Sequence, residues 1–235
     1  MREERHWIPS GGEKLAAVLT LPDKGRGPCV IACHGLAASK DSEKYLLLTE
    51  AALEAGLACC RFDFRGCGES GGRYADSTVA VRIADLRAVI AFLRGHQDLD
   101  GRLALVGSSM GGFVALHVAA ADPSIRGVVT WNTPATLRGM GGSGREADLE
   151  GLGVPFREEL EQGDLLDAAA GVGRALVIQG TEDEVVPPEH GRLLYERSAE
   201  PKSILMLEGA AHRLTDPAHR RRAIHASLSW LLPHL

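Results

Sequence analysis

Short, continuously apolar runs alternate along this chain with longer amphipathic stretches, and that alternation predicts a parallel sheet joined by crossover helices. Strands are predicted at Leu15–Leu21, Cys29–Cys33, Leu57–Phe62, Leu103–Val106, Gly127–Trp131, Ala175–Gln179 and Ser203–Leu207. Several are apolar throughout, as strands covered on both faces should be. Helices are predicted at Ser42–Ala55, Ser77–Leu93, Met110–Ala121 and Pro188–Ser198. A last helix opens at Asp216, an N-cap residue followed by Pro217 at the first helical position. A more polar strand, Glu3–Ile8, precedes the first apolar one through Ser10-Gly11-Gly12, the pattern of an antiparallel hairpin.

One stretch breaks the rhythm. Asn132 to Gly173 spans 42 residues, about twice what a connection carrying one helix needs, and reads as an insertion. It holds nine glycines, clustered from Gly139 to Gly144, and eight acids against three bases. Its local charge, 3 minus 8, equals the net −5 of the whole chain. The plain expectation is the solvated faces of two short helices. If the insertion instead forms a lid, it would place negative charge at a substrate entrance and favour neutral substrates.

Composition narrows the class. With 235 residues, 45% of them hydrophobic and 24% charged, the chain suits one domain that needs no disulfide or metal staple. A balance of 26 basic to 31 acidic residues offers no footprint for nucleic acid. No apolar stretch is long enough for a membrane span, and Met1 to Arg5 does not open a signal peptide. A cytoplasmic setting is expected. Its five cysteines, four of them inside strand-like runs, fit buried reduced thiols. Cys29, Cys33 and His34 do not make a zinc site, because a strand sends positions 33 and 34 to opposite faces and no second pair follows.

The chemistry starts at Gly107-Ser108-Ser109-Met110-Gly111, which matches Gly-x-Ser-x-Gly, the turn that lifts a nucleophilic serine above a sheet. The motif alone is weak. Here a predicted strand runs into it and a helix of small residues leaves it, so the helix N-terminus favours developing negative charge. A serine needs a base, and the base an orienting acid, both on loops after later strands. The loop after Ala175–Gln179 carries Glu182, Asp183 and Glu184, any of which could be the acid. The loop after Ser203–Leu207 carries His212, which stands apart from the histidines of helices and chain ends. An oxyanion hole needs two backbone N–H groups. Met110, after the nucleophile, supplies one, and Leu36, after His34-Gly35, is chosen for the other. His34 itself reads as a hydrogen-bond group that fixes its loop. Trp131, at the end of the strand before the insertion, is a candidate wall of the substrate pocket or a plain core residue.

The segment Arg61-Phe62-Asp63-Phe64-Arg65-Gly66-Cys67-Gly68-Glu69-Ser70 and the loop Gly180-x-x-Asp183-x-x-Val186-Pro187 join the elbow in a specific resemblance. The sequence resembles the α/β-hydrolase superfamily over most of its length. The resemblance implies an α/β-hydrolase fold, a mostly parallel eight-stranded sheet with helices on both faces and a small cap insertion after strand six, here 132–173. It implies a triad of Ser109, Asp183 and His212, choosing Asp183 among the three acids, with no cofactor and no metal. Within the superfamily the chain looks most like small bacterial esterases of the cinnamoyl and feruloyl type. Its Gly-Ser-Ser-x-Gly-Gly is also similar to mitochondrial acyl-protein thioesterases. The expected function is a carboxylesterase acting through an acyl-serine on a small-molecule ester or thioester. Thioesterase or amidase action on the same triad, and a non-catalytic binding protein on the same scaffold, are the alternatives.

Overall fold

The computed structural model describes residues 1–23, 25–138, 151–162, 167 and 171–235. Its eight strands are β1 (Arg2–Ser10), β2 (Glu13–Leu21), β3 (Gly27–Cys33), β4 (Ala58–Phe62), β5 (Leu99–Ser108), β6 (Ile125–Trp131), β7 (Ala175–Gly180) and β8 (Lys202–Leu207). They form one sheet in the order β1-β2-β4-β3-β5-β6-β7-β8. The hairpin pairs antiparallel, from Arg2 against Leu21 to Ser10 against Glu13, and β2 also runs antiparallel to β4. Every pairing from β4 onward is parallel.

The described helices are α1 (Glu43–Glu54), α2 (Val79–Arg94), α3 (Met110–Ala121), α4 (Val154–Gln162), α5 (Pro188–Arg197) and α6 (Pro217–Leu231). The two-residue period of the strands sorts them onto two faces. Cys29, Ile31 and Cys33 of β3 and Leu103 and Leu105 of β5 join one core with Leu86, Val89 and Ile90 of α2, Phe113 and Val114 of α3 and Leu194 of α5. The alternate positions Val30, Ala32, Ala104 and Val106 join the other with Tyr45 and Leu48 of α1 and Ile224 and Leu228 of α6. Asp216 accepts hydrogen bonds from the Ala218 and His219 N–H groups, so α6 starts as its sequence requires.

Two differences from the sequence reading have local causes. β5 begins at Leu99 rather than Leu103, because Leu99 pairs with Gly27 across a register shift, despite the turn-like Asp100-Gly101-Arg102. In the insertion, α4 packs beside the short 3₁₀ turn Tyr74–Asp76, with the Gly153 N–H donating to the Ala75 carbonyl at 3.0 Å. The Gly139 to Gly144 cluster lies outside the described residues.

After β3 the chain adds β4 on one side, then crosses to place β5 on the other. Such a reversal opens a crevice outside the carboxyl ends of the two flanking strands. The loop after β3 begins at His34, and β5 ends on the elbow.

Candidate active site

Ser109 follows directly on β5 and precedes α3, with φ 53° and ψ −125°. A non-glycine residue in this region stores on the order of 1–3 kcal/mol, so its neighbours must hold it there. Its N–H donates to the Trp131 carbonyl at 2.9 Å, and its own carbonyl accepts from Gly112 and Phe113 at 3.0 and 3.1 Å. The motif's last glycine is enforced by space: a Cβ on Gly111 would sit 2.1 Å from the Cys33 carbonyl oxygen. Gly35 does the same on the facing loop, where a Cβ would stand 3.2 Å from that of Ser109. The backbone around Leu36 therefore reaches the nucleophile.

That loop is fixed from below by His34. The Phe64 N–H donates to His34 Nε2 at 3.0 Å, so the ring proton is on Nδ1, which donates to the Gly35 carbonyl at 2.8 Å. Burial, reinforced by the nearby Arg82 guanidinium, lowers the His34 pKa to about 3. It is a neutral brace. Asp63, from the Arg-Phe-Asp-Phe-Arg segment, accepts from the Lys40 N–H at 2.7 Å and the Glu69 N–H at 3.0 Å. It thereby ties the loop after β3 to the loop after β4.

The three acids after β7 separate cleanly. Asp183 is buried, and both its oxygens lie 2.9 Å from His212 Nδ1. Its carboxylate also accepts from the Val185 and Val186 N–H groups at 2.9 and 2.7 Å and from Gln179 Nε2 at 3.3 Å. Glu184 instead accepts from the backbone N–H of His212 at 3.2 Å, and Glu182 is exposed. With Nδ1 committed to Asp183, Nε2 is the imidazole nitrogen left for a reacting group. Ser109 and His212 line one cavity of about 260 Å³, together with Gly35, Leu36, Lys44 and Ser108. Met110 opens α3, where a first-turn N–H has no acceptor within its helix.

Asn132 was not singled out by the sequence. Fully buried with φ 48°, it accepts from the Gly180 N–H through Oδ1 at 2.8 Å and donates through Nδ2 to the Ala211 and His212 carbonyls at 3.2 and 2.7 Å. One amide thus joins the ends of β6 and β7 to the histidine loop. Its only sequence signal is a residue that tolerates the left-handed region, placed just after a strand.

One expectation needs correction. Trp131 does not wall the cavity. Its ring is fully buried in the core between the sheet and helices α1 and α6, where Nε1 donates to Ser227 Oγ at 2.9 Å and the ring stacks on Tyr45. As the last residue of its strand it follows the alternation onto that face. No described residue of the insertion lines this cavity, whose charged side chains among the described residues are Lys44, Arg213, Arg220 and Glu43. Among the insertion's acids, Glu159 accepts from the Val79 and Ala80 N–H groups at the start of α2, and Asp167 pairs with Arg138.

Cys29 and Cys33 are buried free thiols. Among the described residues, the one group of three metal-ligating side chains with donor atoms within 4.8 Å of one another is Glu4, His6 and His96, on β1 and after α2. It belongs to a part of the fold that does not line the cavity. No helix among the described residues is long and apolar enough to cross a membrane.

Residues 26–141 match a sequence family described as serine aminopeptidase, S33. The chain is 30% identical over 194 residues to an uncharacterized protein of Mycobacterium tuberculosis, covering 80% of this chain and 64% of that one. It is 34% identical over 127 residues to the human mitochondrial palmitoyl-protein thioesterase ABHD10, covering 50% of this chain and 40% of the relative. The chain thus spans less than two thirds of the length of these relatives. In structure it is similar to Est1E of Butyrivibrio proteoclasticus, solved with ferulic acid bound, with a TM-score of 0.83, 20% identity, and 97% and 98% of the two chains covered. With this sheet order, a strained serine between β5 and α3, and these likenesses, the chain has the α/β-hydrolase fold.

Proposed function

We propose that this chain is a serine hydrolase that cleaves carboxylic esters or thioesters through an acyl-Ser109 intermediate. The observation that carries the reading is the Asp183–His212 pair, 2.9 Å apart, opening into the same cavity as a serine held at φ 53°. In the first step His212 Nε2 takes the Ser109 proton as Oγ attacks the substrate carbonyl carbon. The carbonyl oxygen becomes an oxyanion, received by the N–H groups of Leu36 and Met110. As it collapses, the bond to the leaving oxygen or sulfur breaks and His212 returns the proton to that atom. Water then gives a proton to His212 and attacks the acyl carbon, releasing the acid and restoring Ser109. Asp183 holds the imidazole tautomer throughout.

Two likenesses support acyl transfer: the solved structure that holds ferulic acid and the human palmitoyl-protein thioesterase. Five buried free thiols support the expected cytoplasmic setting. Hydrolysis of para-nitrophenyl acetate should be abolished in Ser109→Ala. A fluorophosphonate probe should attach to Ser109 and leave its neighbour Ser108 unlabelled, as read by peptide mapping. Labelling of Ser108 would reassign the nucleophile, and a folded protein that neither hydrolyses esters nor takes the probe would be a binding protein on a hydrolase scaffold. A matched ester, thioester and amide series, ranked by kcat/KM, separates the reaction types.

A further inference from the structure

Among the described residues, the lining of the cavity beside Ser109 is more cationic than the chain as a whole. That lining holds Lys44, Arg213, Arg220 and, among the described residues, a single carboxylate, Glu43, in a protein of net charge −5. Glu43 is paired with Arg220, whose Nε and Nη2 also donate to the Leu214 and Thr215 carbonyls at 3.1 and 2.7 Å. Arg220 is therefore a structural tie for the histidine loop. Lys44 is placed differently. Its ammonium donates to Ser108 Oγ at 2.8 Å, stands 5.5 Å from the centre of the Tyr45 ring, and has no carboxylate partner among the described residues.

An ammonium has three donors, and Ser108 uses one of them. Withdrawing such a charge from water without an opposite charge is costly unless something arrives to pair with it. Burial, with Arg213 and Arg220 nearby, already lowers the Lys44 pKa to about 8. A structural brace for Ser108 would need only a neutral donor. A positive charge one residue from the nucleophile, facing a cavity, has a use when the incoming molecule is negative.

We propose that Lys44 is a specificity-determining residue and that the substrate is an ester or thioester carrying a carboxylate on the part seated beside Ser108. This rests on the serine-hydrolase reading above. A lone ammonium matches a monoanion, and a charge-assisted hydrogen bond of this kind discriminates by about 10- to 100-fold.

Two pairs of esters test it, with each member's rate normalised to its hydroxide-catalysed hydrolysis. The acyl-side pair is para-nitrophenyl hydrogen glutarate and its methyl ester; the leaving-group pair is para-acetoxybenzoate and its methyl ester. The wild type should favour the carboxylate member of one pair in kcat/KM, and the pair in which it does so locates the anion. That ratio should fall about 10- to 100-fold in Lys44→Met and recover largely in Lys44→Arg. If Lys44→Met does not fold, product inhibition of the wild type decides, the carboxylate product binding more tightly than its methyl ester. Preference for the neutral ester in both pairs, or an unchanged ratio in folded Lys44→Met, overturns the proposal while leaving the hydrolase reading intact. No Ser109-dependent hydrolysis of any of the four esters overturns the hydrolase reading and this proposal with it.

Discussion

A triad is set by which atom each carboxylate meets, and this is where three neighbouring acids part. Glu182, Asp183 and Glu184 read alike in a loop of polar residues, yet only Asp183 meets the imidazole, while Glu184 meets the backbone of the same histidine. Asp183→Asn should lower kcat by about three to four decades, and combining it with His212→Ala should add little, because the residues act as one unit. Glu184→Gln should cost less than about tenfold. Steady-state kinetics on one activated ester checks all three, and a larger loss from Glu184→Gln would reassign the acid. Asn132→Ala removes three hydrogen bonds from buried loop ends. It should destabilise the fold by about 1–3 kcal/mol and lower kcat more than it raises KM, since it positions His212 without touching substrate. Ser109 and His212 were legible because a motif and a chain order name them. Asn132 and Lys44 were not, because their partners lie far away in sequence.

Elements were legible where their signals are local. The N-cap Asp216 and Pro217, the apolar strands and the elbow all declare themselves within a few residues. The start of α2 shows the limit. Thr78 is its N-cap, accepting from the Val81 N–H at 3.1 Å, but the two preceding orphan donors, on Val79 and Ala80, are met by Glu159 from α4 at 2.6 and 2.8 Å. No reading of the residues around Ser77 could find a cap 80 positions along the chain. In composition Glu159 is one more acid of an acidic insertion; in the fold it fastens that insertion to the main body, and its charge favours a helix N-terminus. Glu159→Ala should destabilise the protein by about 1–2 kcal/mol, read as a lower denaturation midpoint. Exchanging the neighbouring Glu158 for alanine should move it by less than about 0.5 kcal/mol.

At the scale of the whole molecule, topology gathers the site and charge tunes it. The reversal between β3 and β5 places the Gly35–Leu36 loop against the elbow, and the loops after β7 and β8 bring Asp183 and His212 to the same end of the sheet. Sequence order implied this arrangement, but the positive sign of the cavity's described charged lining was hidden, because Lys44, Arg213 and Arg220 come from elements far apart in sequence. That sign has a measurable effect on stability. Lys44 titrates near pH 8 in the fold, against an ordinary value of 10.5, chiefly through burial. Below pH 8 both folded and unfolded chains hold the proton, and the fold bears the cost of the buried ammonium. Between pH 8 and 10.5 the folded lysine is neutral while the unfolded one still binds a proton, so its contribution to unfolding free energy rises with pH. Across that window the wild type should gain up to about 3 kcal/mol relative to Lys44→Met, measured by denaturant titration of both proteins at several pH values. A saturating carboxylate ligand should hold the proton on Lys44 and move the rise to higher pH. Parallel curves for the two proteins would mean that the ammonium is not withdrawn from water, and Lys44 would then be an ordinary surface lysine.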